Sequence, residues 1–373
     1  MGLEICRELR DSGYSVVVVG ERGKSGNLAL AAAGVKGLAL ASPTSNAEEL
    51  CRELLELGRG TTGTKVLICS NETYCAWLAD NTKAMEECYR FLSNQPELLR
   101  LLNDKHKQYS LFNGTGFDVP KTWLACDLSP EREGLEYPVI IKPRYSYQTL
   151  GFREKFGCKV FMASGLAQLR AYVRLSEEAG YKVIIQNNVP GPDENQYTWG
   201  GVCFGGKAYS ICVTQKLKVD PSPNGSGTII RTITDPDLME LGCKAVAGIK
   251  YSGICDIDFK IDSVTGSYKL IELNPRYGLG QMIMQLAGLP MSDTYSRLAM
   301  GEIPSEPAIG NPGYYWIYFD EWAKGILMPW RNQGLKKHMT HENTVKTFTA
   351  NDCLPECLHI ANLLRVKLMR AWK

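Results

Sequence analysis

Apolar and polar positions alternate in two different rhythms along this chain. At the start, Leu3, Ile5, Cys6 and Leu9 fall on one side of a helix over residues 2–12, and Gly13 stops it ahead of an apolar strand at 14–19. The pattern goes on with a helix at 28–33, a short strand at 37–41, a helix at 47–57 and a strand at 65–69. Helix alternating with strand predicts an α/β layer with a doubly wound parallel sheet. Such a domain ordinarily opens on a strand and a Gly-rich turn. Here that first strand is missing, so either the sequence is shortened at its start or the domain has lost it. Without the turn, no dinucleotide site is expected. Asn71 and Glu72 follow the strand at 65–69, at the carboxyl edge of the sheet, and are candidates to help form an acceptor site.

Beyond residue 100 the elements predict an α+β arrangement. A helix over residues 101–117 carries Asp104, Lys105, His106 and Lys107. An extended entry at 119–123 leads on to a buried strand at 137–142, which ends in Lys142 and is halted by Pro143. Residues 145–157 are expected to form a loop, followed by a strand at 159–163, a helix at 165–179 and a strand from 181. That strand ends in the polar turn Gln186-Asn187-Asn188-Val189 before Pro190-Gly191. Residues 197–204 and 208–216 read as a hairpin turning at Gly205-Gly206-Lys207. Lys216 and Lys218 lead into a Pro/Gly/Ser loop of a composition that suits a hinged lid. Arg231 lies on the strand after it, where a guanidinium could clamp a carboxylate in bidentate fashion.

A helix at 236–249 precedes the most informative segment, two strands at 253–260 and 268–276 joined by a polar turn. Side chains alternate faces along a strand, so Asp256, Asp258 and Lys260 share one face, as do Glu272 and Asn274. Folding the hairpin brings carboxylates and an amide together, with Arg276 just beyond. Such hard oxygen donors suit Mg²⁺ bound together with triphosphate oxygens. The plain alternative is acidic decoration of a wet hairpin. Lys142, as a compact charge at a strand end, suits phosphate as well.

Composition narrows the class. With 373 residues the chain can bury a large core and is expected to form two or three domains. A net charge of +2 supplies no basic field, so nucleic acid is not an expected partner. No apolar run approaches the ~20 residues that cross a bilayer, and the start carries no basic and apolar leader, which points to the cytoplasm. Thirteen cysteines are scattered without pattern, as reduced and packed thiols would be. Cys353, Cys357 and His359 could suggest a zinc half-site, but no second ligand pair is visible. From residue 304, Pro304, Pro307, Gly310, Pro312 and Gly313 mark a linker, and residues 360–372 are expected to form an apolar and basic helix that docks on its own domain, binding to a membrane surface being the alternative.

Asp258, followed fourteen positions on (272 − 258) by Glu272-Leu273-Asn274-Pro275-Arg276, resembles the metal-binding strand pair of the ATP-grasp superfamily. The members most resembled are carboxylate–amine ligases of the D-aspartate ligase kind. The ATP domains of carbamoyl-phosphate synthetase and biotin carboxylase are more distant. The resemblance runs from about residue 102 to residue 302. It implies an α/β pre-domain at 1–100, a two-lobed ATP-grasp domain at 101–303 (small lobe 120–188, large lobe 189–303) and a C-terminal region at 304–373. It also implies ATP with one or two Mg²⁺, Mn²⁺ being the alternative ion, held by Asp258, Glu272 and Asn274. Lys105, Lys142 and Ser146 would meet phosphate, residues 145–157 would close over it, and Gln186 with the main chain of Asn187, Asn188 and Val189 would read adenine. Glu194, in preference to Gln196, would take the ribose. Lys216 is assigned to the γ-phosphate, Arg231 to the substrate carboxylate and Arg276 to the developing oxyanion. The implied reaction joins a carboxylate to an amine, an amino acid or short peptide, through an acyl phosphate. The alternatives are a bicarbonate-activating enzyme, a small-molecule phosphotransferase and a nucleotide-binding regulator without turnover. The reading leaves room for a homodimer.

Overall fold

A computed structural model describes residues 2–23, 32–127, 134–318, 321 and 344–345. Most of the helix expected at 28–33, the helix at 360–372 and the Cys353, Cys357 and His359 group lie outside the described residues. The chain opens with α1 (Gly2–Asp11), β1 (Val17–Glu21), β2 (Lys36–Leu40), α2 (Ala47–Arg59), α3 (Glu72–Asp80) and α4 (Thr82–Met85). Glu48 and Glu49 in the first turn of α2 and Arg59 in its last complement the helix dipole, while Leu50 and Leu54 bury the inner stripe. Strands β1 and β2 are parallel. The strand expected at 65–69 is instead an isolated bridge, Val66 to Arg90. Arg90 gives and takes one backbone bond each with Lys65 and Leu67, and a single partner residue cannot sustain a ladder. Among the described residues the N-terminal sheet therefore has two strands, short of the doubly wound layer expected.

Next come α5 (Pro96–Asn103), α6 (Lys105–Gly114), β3 (Thr122–Leu124), β4 (Val139–Pro143), α7 (Thr149–Phe156), β5 (Phe161–Ala163), α8 (Leu166–Glu178) and β6 (Val183–Asn187). The single helix expected at 101–117 is two helices, because the Asp104 side chain accepts from Lys107 N and starts a new helix there. Lys105 becomes the first residue of α6. Strands β3, β6, β4 and β5 form an antiparallel sheet of four in that order. The loop expected at 145–157 is largely helical. Phe152 is fully buried against Phe156, Phe161 and Tyr181, and Gly157 closes α7 in the left-handed conformation at φ 75°. A segment rich in aromatic residues and holding few glycines gains more from packing than a backbone cradle would give it.

The remainder is β7 (Gln196–Phe204), β8 (Lys207–Asp220), β9 (Ser226–Ile233), α9 (Pro236–Gly248), β10 (Gly253–Ile261), β11 (Tyr268–Asn274), α10 (Gln281–Leu286), α11 (Met291–Ala299), β12 (Ala308–Ile309), β13 (Tyr315–Ile317) and β14 (Thr344–Val345). The large sheet runs β11-β10-β7-β8-β9-β13-β14, with β12 alongside β8. Three short strands of the region expected at 304–373 thus extend this sheet. One face of the sheet packs Trp199, Phe259, Leu270 and Leu273 into the main core. On α1, Glu8 accepts from Ser292 Oγ and Asp293 N and joins the start of the chain to the N-terminus of α11. No helix among the described residues is long and apolar enough to cross a membrane.

Candidate active site

The register of β10 and β11 sets Asp258 directly opposite Glu272 and Asp256 opposite Asn274. All four side chains therefore point to one face, as the alternation of each strand requires. On its other side β10 pairs with β7, which sets Thr198 beside Asp258 and Gly200 beside Asp256. Thr198 Oγ1 donates to Asp258 Oδ1 at 2.6 Å, and Lys216 Nζ pairs with the same oxygen at 3.1 Å. Glu272 Oε1 is paired with Lys105 and accepts from Ser146 Oγ at 3.1 Å. Burial drives the Glu272 carboxyl up, but Lys105 and then Lys142 outweigh it and hold the group down at about 2.

Two further lysines complete the cationic side. Lys142 Nζ donates to Tyr109 Oη at 2.8 Å, and that hydroxyl in turn donates to Ile271 O on β11. Burial brings the Lys142 ammonium down to about 8, against the pull of Glu272 and Asp258. Lys159 lies across from it and donates to Ser226 Oγ at the start of β9; burial and the neighbouring Lys216 bring it to about 8 as well. Asp104 takes Arg144 in a bidentate pair, with Nε at 2.9 Å and Nη2 at 2.6 Å. The residue before Lys105 is thus clamped to the residue two beyond Lys142, which fixes both ammonium groups relative to one another. Arg276 Nε donates to Glu72 Oε1 and Nη1 to Tyr277 O at 2.8 Å, so the first turn of α3 orients the guanidinium.

These groups line a cavity of about 290 Å³ between the two sheets. The structure brings together Lys105, Lys142, Ser146, Gln186, Asn188, Val189, Lys216, Asp258, Glu272, Asn274 and Arg276 on its wall. Three candidates stand elsewhere. Arg231 follows Ile230, which faces the cavity, so alternation turns Arg231 to the other side of the sheet, where it donates to Gln215 Oε1 at 2.9 Å. The Asn187 side chain is taken up by Gly134 O and Glu136 N. Glu194 lines a neighbouring recess, whereas Gln196 reaches the main cavity and accepts from Lys216. Asn71 caps α3 through Tyr74 N, leaving Glu72 alone of that pair in the cavity.

Lys159, Thr198 and Tyr109 were not singled out from the sequence, and Asp256 was placed on the ligand face without a role. Lys159 was expected to open a strand at 159–163 but precedes β5, and as a lysine near a strand end it carried no stronger signal than any other. Thr198 and Tyr109 act through partners distant in sequence, and nothing local marks them.

The donor set fits a hard cation shared with phosphate. Two facing carboxylates and an amide supply oxygen ligands, and the lysines already pair with those carboxylates. Among the described residues no three His, Cys, Asp or Glu side chains converge into a cage, so other ligands must complete the shell of an ion bound here.

Residues 227–306 match the family described as carbamoyl-phosphate synthase L chain, ATP binding domain. The chain is 29% identical over 241 residues to the D-aspartate ligase of Enterococcus faecium (strain Aus0004), a match that covers 61% of this chain and 56% of that protein. The chain thus spans little more than half the length of this relative. In structure it resembles the L-amino acid ligase from Bacillus licheniformis, with a TM-score of 0.62 at 15% identity, over 83% of this chain and 75% of that one. It also resembles the biotin carboxylase domain of Hydrogenobacter thermophilus 2-oxoglutarate carboxylase, a dimer in complex with MgADP, ADP and bicarbonate. There the TM-score is 0.61 at 16% identity, over 84% of this chain and 70% of that one. The chain has the fold of these ATP-grasp enzymes, and the proteins it is similar to include carboxylate–amine ligases.

Proposed function

We propose that this chain is an ATP-dependent ligase that joins a carboxylate to an amine through an acyl phosphate, releasing ADP and phosphate. The observation that carries this reading is the direct facing of Asp258 and Glu272 inside a cavity ringed by Lys105, Lys142, Lys159 and Lys216. A carboxylate does not acylate an amine, because oxide is a poor leaving group, and transfer of a phosphoryl group to it removes that obstacle. One or two Mg²⁺ (Mn²⁺ suits the same donors) held by Asp258, Glu272 and Asn274 would offset the repulsion between carboxylate and triphosphate.

The residues of the chain then have separable tasks. Lys105, Lys142 and Lys159 hold the phosphates, and Lys216, within β8, holds the γ-phosphate. Ser146 sits between Lys105 and Glu272 and keeps both in place. Asn187 and Asn188 already give their N–H groups to Lys121 O and Pro138 O, which leaves Val189 N–H, beside Gln186, to meet adenine. Because Gln196 and not Glu194 lines this cavity, the ribose contact proposed is with Gln196. In the first half-reaction a carboxylate oxygen bonds to the γ-phosphorus as the bond to ADP breaks. In the second, an amine nitrogen bonds to the acyl carbon, the bond to phosphate breaks and the amine loses a proton. Arg276, oriented by Glu72 and Tyr277 O, stabilises the oxyanion between these events.

Similarity to a D-aspartate ligase and an L-amino acid ligase supports an amino acid or short peptide as the amine. Similarity to the bicarbonate-bound carboxylase domain and to the carbamoyl-phosphate synthase family favours a second reading, with bicarbonate as the carboxylate. The setting proposed is the cytoplasm, which fits eleven described cysteines that are all unbridged, and a homodimer is part of the proposal. ADP release screened against paired amino acids with hydroxylamine present tests the reading. A ligase yields a hydroxamate, whereas a phosphotransferase yields a stable ester and none. ADP release that needs bicarbonate and no other carboxylate would favour the second reading.

A further inference from the structure

Asp256 is the one acid on the cavity wall of the β10–β11 pair that the proposed chemistry leaves without a task. It is 8% exposed and lines the cavity, yet its Oδ1 has no hydrogen-bond partner. Asp258, two residues on, meets Thr198 from β7; at the matching position beside Asp256, β7 offers Gly200, which has no side chain to give. Gly278 closes the other side so tightly that a Cβ there would stand 1.6 Å from Asp256 Oδ2. A Cβ on Gly200 would meet Met284 at 2.3 Å and Asp256 Oδ1 at 3.1 Å. Two glycines and a methionine thus frame a carboxylate whose Oδ1 receives no hydrogen bond, Arg276 and Lys216 acting on it only through their charge. An orphaned polar group at this depth requires an explanation, and a buried carboxylate is expected to have a cationic partner.

Position supplies the identity of that partner. Along a strand two residues span roughly 7 Å. Asp256 therefore lies one such step from the Asp258 and Glu272 pair, toward Asn274 and Arg276 and away from Lys105 and Lys142. That is where the acyl carbon and the incoming amine belong if the γ-phosphate sits at Asp258 and Glu272. Resting on the ligase reading, we infer that Asp256 is the acceptor subsite and binds the ammonium group of a primary amine substrate. Asn274, paired with Asp256 across the strands, is assigned to the metal beside Glu272, and Gly200, Gly278 and Met284 add no further hard oxygen ligand for a second cation at Asp256. An ammonium group entering from the cavity that Asp256 lines needs one carboxylate oxygen alone and no such ligand set.

The test separates charged from uncharged nucleophiles. Wild-type protein, Asp256→Asn and Gly278→Ala receive Mg·ATP with each of the common amino acids, in both chiral forms, as carboxylate. Each mixture is then offered either hydroxylamine, which is mainly uncharged at neutral pH, or a second amino acid, which arrives as an ammonium ion. Hydroxamate is read by its iron colour and amide by mass spectrometry. Both variants are expected to form hydroxamate at near the wild-type rate and to lose amide formation by about 10²-fold or more, the usual cost of removing one partner of a buried charge pair. Gly278→Ala repeats the test by displacing the carboxylate instead of replacing it. Equal loss of both products, retention of both, or a raised Mg²⁺ requirement for ADP release in Asp256→Asn would overturn the subsite while leaving the ligase standing. Absence of hydroxamate from wild-type protein with every carboxylate would overturn the ligase reading, and the subsite with it.

Discussion

Replacing Asp256 by Asn should make the ligand-free protein more stable while it damages the acceptor reaction. Burial and the neighbouring Asp258 push the Asp256 carboxyl from its ordinary value of 3.8 up to about 7. An acid raised in this way favours the fold most when it is protonated in both states. Its contribution is lost as pH rises from the unfolded value to the folded one. Across that window the loss amounts to about 4 kcal/mol. Asn does not ionise, but its buried amide keeps an unmet hydrogen bond that costs about 1–3 kcal/mol. The net gain at neutral pH is therefore about 2 kcal/mol, or about 4–8 °C in Tm at roughly 2–4 °C per kcal/mol. Melting wild type and Asp256→Asn without nucleotide, from about pH 5 to about pH 8, should show the two values diverging as pH rises. Parallel curves, or a variant that melts lower at the alkaline end, would refute the claim that this carboxylate is buried without a partner.

Further outcomes follow from the same geometry. Asp258→Asn and Glu272→Gln should each lose Mg²⁺-dependent ADP release, and an unchanged Mg²⁺ dependence in steady-state assays would remove them as ligands. Arg276→Ala should lower turnover by about 10²–10³ with nucleotide binding retained in calorimetry; Glu72→Gln should lose less, because the bond from Arg276 to Tyr277 O persists. Phe152→Ala should cost about 3–5 kcal/mol in denaturant unfolding, since α7 is held by that fully buried ring. With Lys142 and Lys159 both near 8, affinity for ATP should weaken as pH rises through that value and the ammonium charges are lost, and Lys142→Met should flatten part of the profile.

Much of the site was legible because strand alternation is a local rule. Once residues 253–260 and 268–274 are read as paired strands, Asp258, Glu272 and Asn274 must share a face, and the register adds only that Asp258 and Glu272 stand directly opposite. Lys142 was legible for a similar reason, as a charge closing an apolar run before Pro143. Arg231 was misread, since the alternation that supports Asp258 also turns Arg231 away, and which parity faces the cavity is decided by the partner sheet. The helix at Thr149–Phe156 was hidden because the resemblance calls for a loop, whereas burial of Phe152 calls for a helix.

The sequence by itself determined most of the strands from residue 119 onward and the shared face of Asp258, Glu272 and Asn274, because these rest on spacing within short segments. Only the tertiary structure decided which charges meet. Lys105 with Glu272, Asp104 with Arg144, Glu72 with Arg276 and Lys159 with Ser226 are each brought together across tens of residues or more, by the packing of separate elements. It also decided that Asp256 Oδ1 receives no hydrogen bond, because the neighbours that frame it, Gly200 and Gly278, come from other segments of the chain and have no side chain to donate one.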